Sequence, residues 1–446
     1  MAELPSSLRD VELIVLDMDG VITSEKAYWD AAGLVIRDIL DSPVFLGLCP
    51  PDYTPIADLF YQRLARGDRS DWRKYLPIDL IQRCKSRGIN SNWDLAYLVA
   101  GLYIAPFFSP FSSIQDAILG KPASHLHPNP SDDESKGAGN FSSQLKDNLQ
   151  PIWNRLEKNV KEGQWSQFLR LHDFHLWGAL MRERKRSIAP IKKIELSIMD
   201  DFHPDVRGIH LLDEINKLID PNPSRRPTLF GRKTALWEEC RDLFQQFFLG
   251  EDLYKQHYGR SFIYTPKPGL IHKEEPLHGK NKTNQSLERL QKAGYRLGIA
   301  TGRPRMEIVT PLSKWDALRY FEADRIVTYD DVEKAEKILM QSGFHVTLGK
   351  PHPYAFMKSI RSDLSENDVY RLCDSSLPDR HKILIVGDAM ADIWAAKKID
   401  CPCAALLSGA MGESGRRDLE SAHPDIICHD FLELTDALVK AKNRPA

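Results

Sequence analysis

What this sequence lacks narrows the possibilities first. No apolar run is long enough to cross a bilayer. The longest, Leu95–Phe108, is interrupted by Gly101 and Pro106, and a spanning helix needs about 20 apolar residues. It reads instead as a buried core helix. Charge of one sign is not in surplus either, with 60 Lys+Arg against 62 Asp+Glu. Nothing in that balance argues for nucleic acid or an anionic membrane as partner. Cysteine is sparse and odd in number, seven residues at positions 49, 84, 240, 373, 401, 403 and 428. No disulfide framework follows from that spacing, which fits reduced thiols in a cytoplasm. Cys401, Cys403, His423, Cys428 and His429 match no standard zinc spacing. The opening MAELPSSLRD lacks the apolar segment of a signal peptide, which strengthens the expectation of a cytoplasmic protein. No internal repeat is present.

What is there is a chain of 446 residues, 42% hydrophobic and 27% charged. That composition is globular, and the length exceeds one ordinary core, so two or more domains are expected. The most telling stretch is Val11–Gly20, VELIVLDMDG. Its apolar, β-branched start suits a strand buried on both faces. It ends in two carboxylates, Asp17 and Asp19, followed by Gly20. In an open α/β sheet, the carboxyl ends of the strands are where ligands bind. Acids spaced i, i+2 on an extended segment point the same way and can converge on one cation or one reacting group. An Asp-rich turn leaving a strand would look the same, so the rest of the chain must decide.

The α/β pattern begun at 11–16 then lapses until about residue 285. Residues 26–270 read as mostly helical. Ile56, Leu59, Phe60 and Leu64 share one helical face, as do Leu236, Cys240, Leu243, Phe244 and Phe247, with Gly250 as a helix stop. Residues 121–143 are rich in Pro, Gly, Ser and Asp and read as a flexible surface loop. Pro221–Pro227 is a second break. The basic run at 181–193 is a solvated face or faces an anionic substrate. His172, His175, His203 and His210 around it lack metal-ligand spacing. From Gln285 onward, helices and short apolar strands alternate. Strands are expected at Arg296–Ala300, Arg325–Thr328, Lys382–Val386, Ala404–Leu407 and Ile426–Cys428. Helices are expected at 331–342, 353–361, 390–398 and 431–441, and one starting at Pro304 should kink or end early at Pro311. The fold class is therefore α/β, a doubly wound parallel sheet of Rossmann type. Its first piece is 10–25, a large helical insertion fills 26–270, and 271–446 completes the core.

Polar groups recur where those strands end: Thr301–Gly302–Arg303, then Gly349–Lys350–Pro351, then Gly387–Asp388 with Asp392 four residues on. Singly they are a helix N-cap, a turn and a strand end. In order, DMDGV at 17–21, TGRPR at 301–305, GKPHP at 349–353 and GDAMAD at 387–392 resemble the haloacid dehalogenase superfamily, most closely its phosphatase branch. The resemblance covers 10–25 and about 285–446. The insertion sits where that superfamily carries a helical cap, though it is much longer and similar only in position.

The resemblance implies Asp17 as a nucleophile that becomes an aspartyl-phosphate, and Asp19 as the acid and base that serves the leaving oxygen and then water. It implies an all-oxygen Mg²⁺ site of Asp17, the Asp19 backbone carbonyl, Asp388 and Asp392. Thr301 and the Gly302 amide would hold phosphoryl oxygens at a helix N-terminus, with Lys350 as the balancing cation. Ser24, Glu25 and Arg303 are possible substrate contacts. Dehalogenase members lack an acid at the Asp19 position, and Met-Asp-Gly-Val after the nucleophile differs from the P-type ATPase run. The expected function is a Mg²⁺-dependent phosphatase for a small phosphorylated metabolite, with no nucleic acid or membrane partner. Alternatives are a phosphosugar mutase on the same core, or a binding or scaffold protein in which the insertion does the work. Neither substrate nor oligomeric state follows from these motifs.

Overall fold

The computed structural model describes residues 5, 8–42, 45, 70–89, 91–108, 202–219, 230–260, 268–375, 377–410 and 412–443. The helical face of Ile56–Leu64, the loop 121–143, the basic run 181–193, His172, His175 and the break at 221–227 lie outside those residues. The chain forms two compact units, one of Met1–Ala31, Ile78–Asn92 and Gln245–Ala446, the other of Ala32–Pro77 and Trp93–Phe244.

The first unit is built on a six-stranded sheet. Its strands are β1 (Leu13–Leu16), β2 (Arg296–Ala300), β3 (Ile326–Val327), β4 (Ile383–Gly387), β5 (Cys403–Leu406) and β6 (Ile426–Cys428). All neighbours pair in parallel in the order β3-β2-β1-β4-β5-β6. β1 is central, with Leu13 in register with Arg296 on one side and Ile383 on the other. The two halves wind outward from the β1/β4 boundary, which is where such sheets open a crevice at their carboxyl ends.

The near-continuous apolar character of these strands has a direct cause. Side chains alternate between faces, and both faces are covered. Leu13, Val15, Ile383 and Ile385 enter one apolar layer, while Ile14, Leu16, Leu384 and Val386 enter the other. The strand expected at Arg325–Thr328 shortens to Ile326–Val327. Arg325 ends a 3₁₀ turn. Thr328 caps the next helix, its backbone N–H and hydroxyl both donating to Asp331.

Between β1 and β2 come α1 (Lys26–Asp41), α2 (Ile78–Ser86), α3 (Asn92–Phe108), α4 (Leu211–Ile219), α5 (Ala235–Tyr258) and α6 (Gly279–Lys292). After β2 follow α7 (Arg305–Lys314), α8 (Tyr329–Gln341), α9 (Tyr354–Ile360), α10 (Glu366–Leu372), α11 (Met390–Lys398), α12 (Arg416–Ser421) and α13 (Phe431–Lys442). The short α10 and α12 have no counterpart in the sequence reading. α7 begins after Pro304 and runs three residues past Pro311. Gly250 leaves helical geometry at φ 76° and ψ 179°, so the helix breaks there as expected, and a second helical segment runs on to Tyr258 within α5.

The second unit carries the long apolar run of α3, in which every residue from Leu95 to Ala105 is buried. A helix buried all round must satisfy its polar ends internally. Asp94 accepts from Trp237 Nε1 at 2.6 Å, and the Tyr97 hydroxyl accepts from the Gly231 amide at 2.6 Å. Asn216 on α4 does the same for Phe230, accepting its N–H at 2.9 Å and donating to its carbonyl at 2.7 Å.

Candidate active site

The site grows from the end of β1. The Asp17 amide still donates to the Val386 carbonyl at 2.8 Å, so this residue sits at the last rung of the ladder with its carboxylate beyond it. Met18 turns into the apolar layer. Its carbonyl then accepts the amides of Ile22 and Thr23, both at 2.9 Å, which folds the chain back. Gly20 makes that turn at φ +69°, and a Cβ there would lie 2.3 Å from Asp388 Oδ2. Both the left-handed backbone and the close acid require glycine.

Two strand ends and a loop deliver the reacting groups: Asp17 follows β1, Asp388 follows β4, and Lys350 lies in the loop between α8 and α9 rather than at the strand end expected from the sequence. Lys350 Nζ lies 2.9 Å from Asp17 Oδ1 and 2.7 Å from Asp392 Oδ1, with all three side chains buried. Asp392 serves twice, because its other oxygen accepts the Ala389 amide at 3.3 Å and so caps α11. Asp17, Asp388 and Asp392 each offer an oxygen, and these lie within 4.8 Å of one another. Gly409 backs Asp388 so closely that a Cβ would fall 1.6 Å from Oδ2. Three carboxylates against one ammonium leave an excess of two negative charges. An all-oxygen donor set with that excess fits a hard divalent cation.

The electrostatics follow from burial. Burial pushes the Asp17 carboxyl up to about 7, with Lys350 pulling against it and Asp392 adding to it. Asp388 is driven well above the carboxylate range by burial, then by Glu25, Asp392 and Asp17. Burial lowers the Lys350 ammonium's proton affinity, but Asp17 and Asp392 outweigh it and raise it overall.

Asp19 belongs to a neighbouring network. Its carboxylate is not one of the three convergent acids. Instead it accepts from Arg303 Nε at 3.0 and 3.1 Å and from Arg303 Nη2, and Thr23 Oγ1 lies 3.0 Å away. Burial would raise this acid, yet Arg303 holds it below its usual range. Arg303 is itself only 2% exposed. Its remaining donors reach Glu274 at 2.8 and 2.9 Å, and it stacks 4.0 Å over the Tyr28 ring. Tyr28 donates onward to Glu307, whose carboxyl burial pushes up to about 8.

Of the residues singled out from the sequence, Asp17, Lys350, Asp388 and Asp392 therefore converge. Asp19 and Arg303 pair with each other beside them. Thr301 is buried at the end of β2, its Oγ1 accepting the Arg303 amide at 3.3 Å, while Gly302 and Ser24 are half-buried. Glu25 is buried and bonded to Lys85 Nζ at 2.5 Å. Sequence reasoning missed Lys85, Thr23, Tyr28, Glu274 and Glu307. The first had a signal, since Ile81, Cys84 and Lys85 fall on one face of a short amphipathic helix. Glu274 and Glu307 had none, since nothing in their local spacing marks either acid as buried.

Residues 263–406 match the family model described as haloacid dehalogenase-like hydrolase. Nothing among curated proteins matches the chain. An X-ray structure of a Northeast Structural Genomics Consortium target is 23% identical, covering 96% of this chain and 98% of its own with a TM-score of 0.58, a likeness of fold. A hydrolase from Pseudomonas syringae is 21% identical over 46% of this chain and 69% of its own, with a TM-score of 0.29. The matched residues carry β2 to β5 of the sheet, so this part of the chain is similar to haloacid dehalogenase-like hydrolases.

Proposed function

We propose that the chain is a Mg²⁺-dependent phosphatase acting on a small phosphomonoester through an aspartyl-phosphate. The observation that carries this reading is the Lys350 ammonium set between Asp17 and Asp392 with Asp388 alongside. A carboxylate can attack a phosphoryl dianion only where charge is cancelled nearby. Lys350 supplies one positive charge at Asp17. Asp17, Asp388, Asp392 and the Asp19 carbonyl would hold Mg²⁺, which when bound neutralises phosphoryl charge and aligns the group.

In the first step Asp17 forms a bond to phosphorus, and the bond to the leaving oxygen breaks. Asp19 gives that oxygen its proton. Arg303 favours the ionised form of Asp19, and an arriving dianion raises its proton affinity by like-charge repulsion. In the second step Asp19 takes a proton from water, which attacks phosphorus and frees Asp17 and inorganic phosphate. Thr301 and the Gly302 amide donate to phosphoryl oxygens at the start of the loop into α7.

The test is phosphate release from p-nitrophenyl phosphate and a metabolite panel, with Mg²⁺ and with chelator. Wild type should release phosphate only with the cation, and Asp17→Asn should release none while keeping its circular dichroism spectrum. Turnover persisting in Asp17→Asn would refute the reading.

A further inference from the structure

Lys85 stands beside the reaction centre, although it comes from a segment far from every motif. α2 is anchored to the loop after β5 by Gln82 Nε2, which donates to the Ala410 carbonyl at 3.1 Å. The neighbouring residue in that loop, Gly409, is the one that abuts Asp388. Lys85 lies three residues beyond Gln82, on the same side of the helix, and reaches Glu25 Oε1 at 2.5 Å. The side chains of Lys85 and Glu25 are 6% and 2% exposed. Both act electrostatically on Asp388, and Lys85 also acts on Asp19, the acid that serves the leaving oxygen. The pair therefore sits beside the centre, on the side of Asp388.

Two features of the pair say what it can read. It neutralises itself, so it offers no net positive charge to a second anion. Glu25 Oε2 is buried and has no hydrogen-bond partner among the described residues, whereas buried polar atoms are normally satisfied. A hydroxyl can donate to that oxygen and accept from the Lys85 ammonium at once. An additional carboxylate or phosphate would meet the Glu25 charge head on.

We propose, resting on the phosphatase reading above, that Glu25 and Lys85 form a specificity pair that binds a hydroxyl of the leaving group, so that the substrate is the phosphomonoester of a sugar or polyol. The pair touches the alcohol portion and takes no part in bond making.

The test compares kcat/KM for glucose 6-phosphate, 3-phosphoglycerate and p-nitrophenyl phosphate with Mg²⁺ present. Wild type should favour glucose 6-phosphate over both others. Lys85→Met and Glu25→Gln should each lower the ratio of glucose 6-phosphate to p-nitrophenyl phosphate by about 10- to 100-fold, the worth of a hydrogen bond to a charged group. Because Lys85→Met strands a buried carboxylate, the double variant Lys85→Met/Glu25→Gln, neutral at both positions, is measured alongside it. An unchanged ratio in the double variant overturns the proposal. So does a Glu25→Gln that improves 3-phosphoglycerate, which would mean Lys85 reads a second anion. Wild type that releases phosphate from none of the three sinks the phosphatase reading instead. Calorimetric binding of glucose 6-phosphate, and its loss in the double variant, then decides the pair's role separately.

Discussion

Lys350→Met is the most informative single change, because it removes the one ammonium between Asp17 and Asp392, at 2.9 and 2.7 Å, and keeps the side chain's bulk. The aliphatic stem still fills its place against Phe356, over whose ring the ammonium lies at 4.6 Å, so packing is largely retained. What remains is a buried cluster of three acids that has lost the ammonium bonded to two of them. Stranding one side of a buried ion pair costs about 3–5 kcal/mol. At roughly 2–4 °C per kcal/mol for a domain of this size, metal-free melting at pH 8 should fall by about 6–20 °C.

The pH dependence carries the sign. Asp17 has a folded-state value of about 7, above its ordinary 3.8, so the unfolded chain ionises first and stability is lost as pH rises from 3.8 through 7. Without Lys350, which lowers that value, the loss should steepen and extend to higher pH. The variant should thus approach wild-type stability near pH 5, where the cluster takes up protons. Phosphate release should drop by about 10²–10³-fold or more, as for loss of a group that stabilises developing charge. Thermal melts and urea titrations at pH 5, 6.5 and 8 in chelator measure the first effect. Melting that is equally depressed at every pH would show that Lys350 matters through packing alone and would refute the charge argument.

Asp388→Asn removes a charge that burial and three neighbouring acids oppose. It should therefore raise metal-free melting at pH 8 while abolishing any upward shift produced by millimolar Mg²⁺; a retained Mg²⁺ shift would remove Asp388 from the cation site. Glu307 titrates near 8 in the fold against 4.5 in the free side chain, so its ionisation erodes stability as pH climbs between those values, by on the order of 4–5 kcal/mol in total. Glu307→Gln, still able to accept from Tyr28, should flatten that slope in urea titrations at pH 5 and 8, and an unaltered slope would count against it.

Much of this protein was written into local patterns. Period-2 burial on both faces makes a strand apolar almost throughout, so β1, β2, β4, β5 and β6 were legible as runs, and their order along the chain implied parallel pairing. The chemistry at two of their ends was legible for the same reason, since Asp17 and Asp388 fall where an apolar run stops and packing no longer explains the residue, whereas Lys350 lies in the loop before α9 and Asp392 in the first turn of α11. Helix α3 was legible from its long apolar run despite Gly101 and Pro106. Boundaries were less so. Gly250 does interrupt helical geometry, and only the second helical segment beyond it went unforeseen.

Other features depend on which segments meet in space. No spacing rule connects Arg303 with Asp19 and Glu274, or Lys85 with Glu25, because each contact spans a chain separation over which sequence carries no register. The i, i+2 argument put both aspartates on one target, whereas Arg303 draws Asp19 aside into its own pair. Local sequence determined where charge could appear; the tertiary structure decided which charges face each other, since buried groups must find partners wherever the fold supplies them.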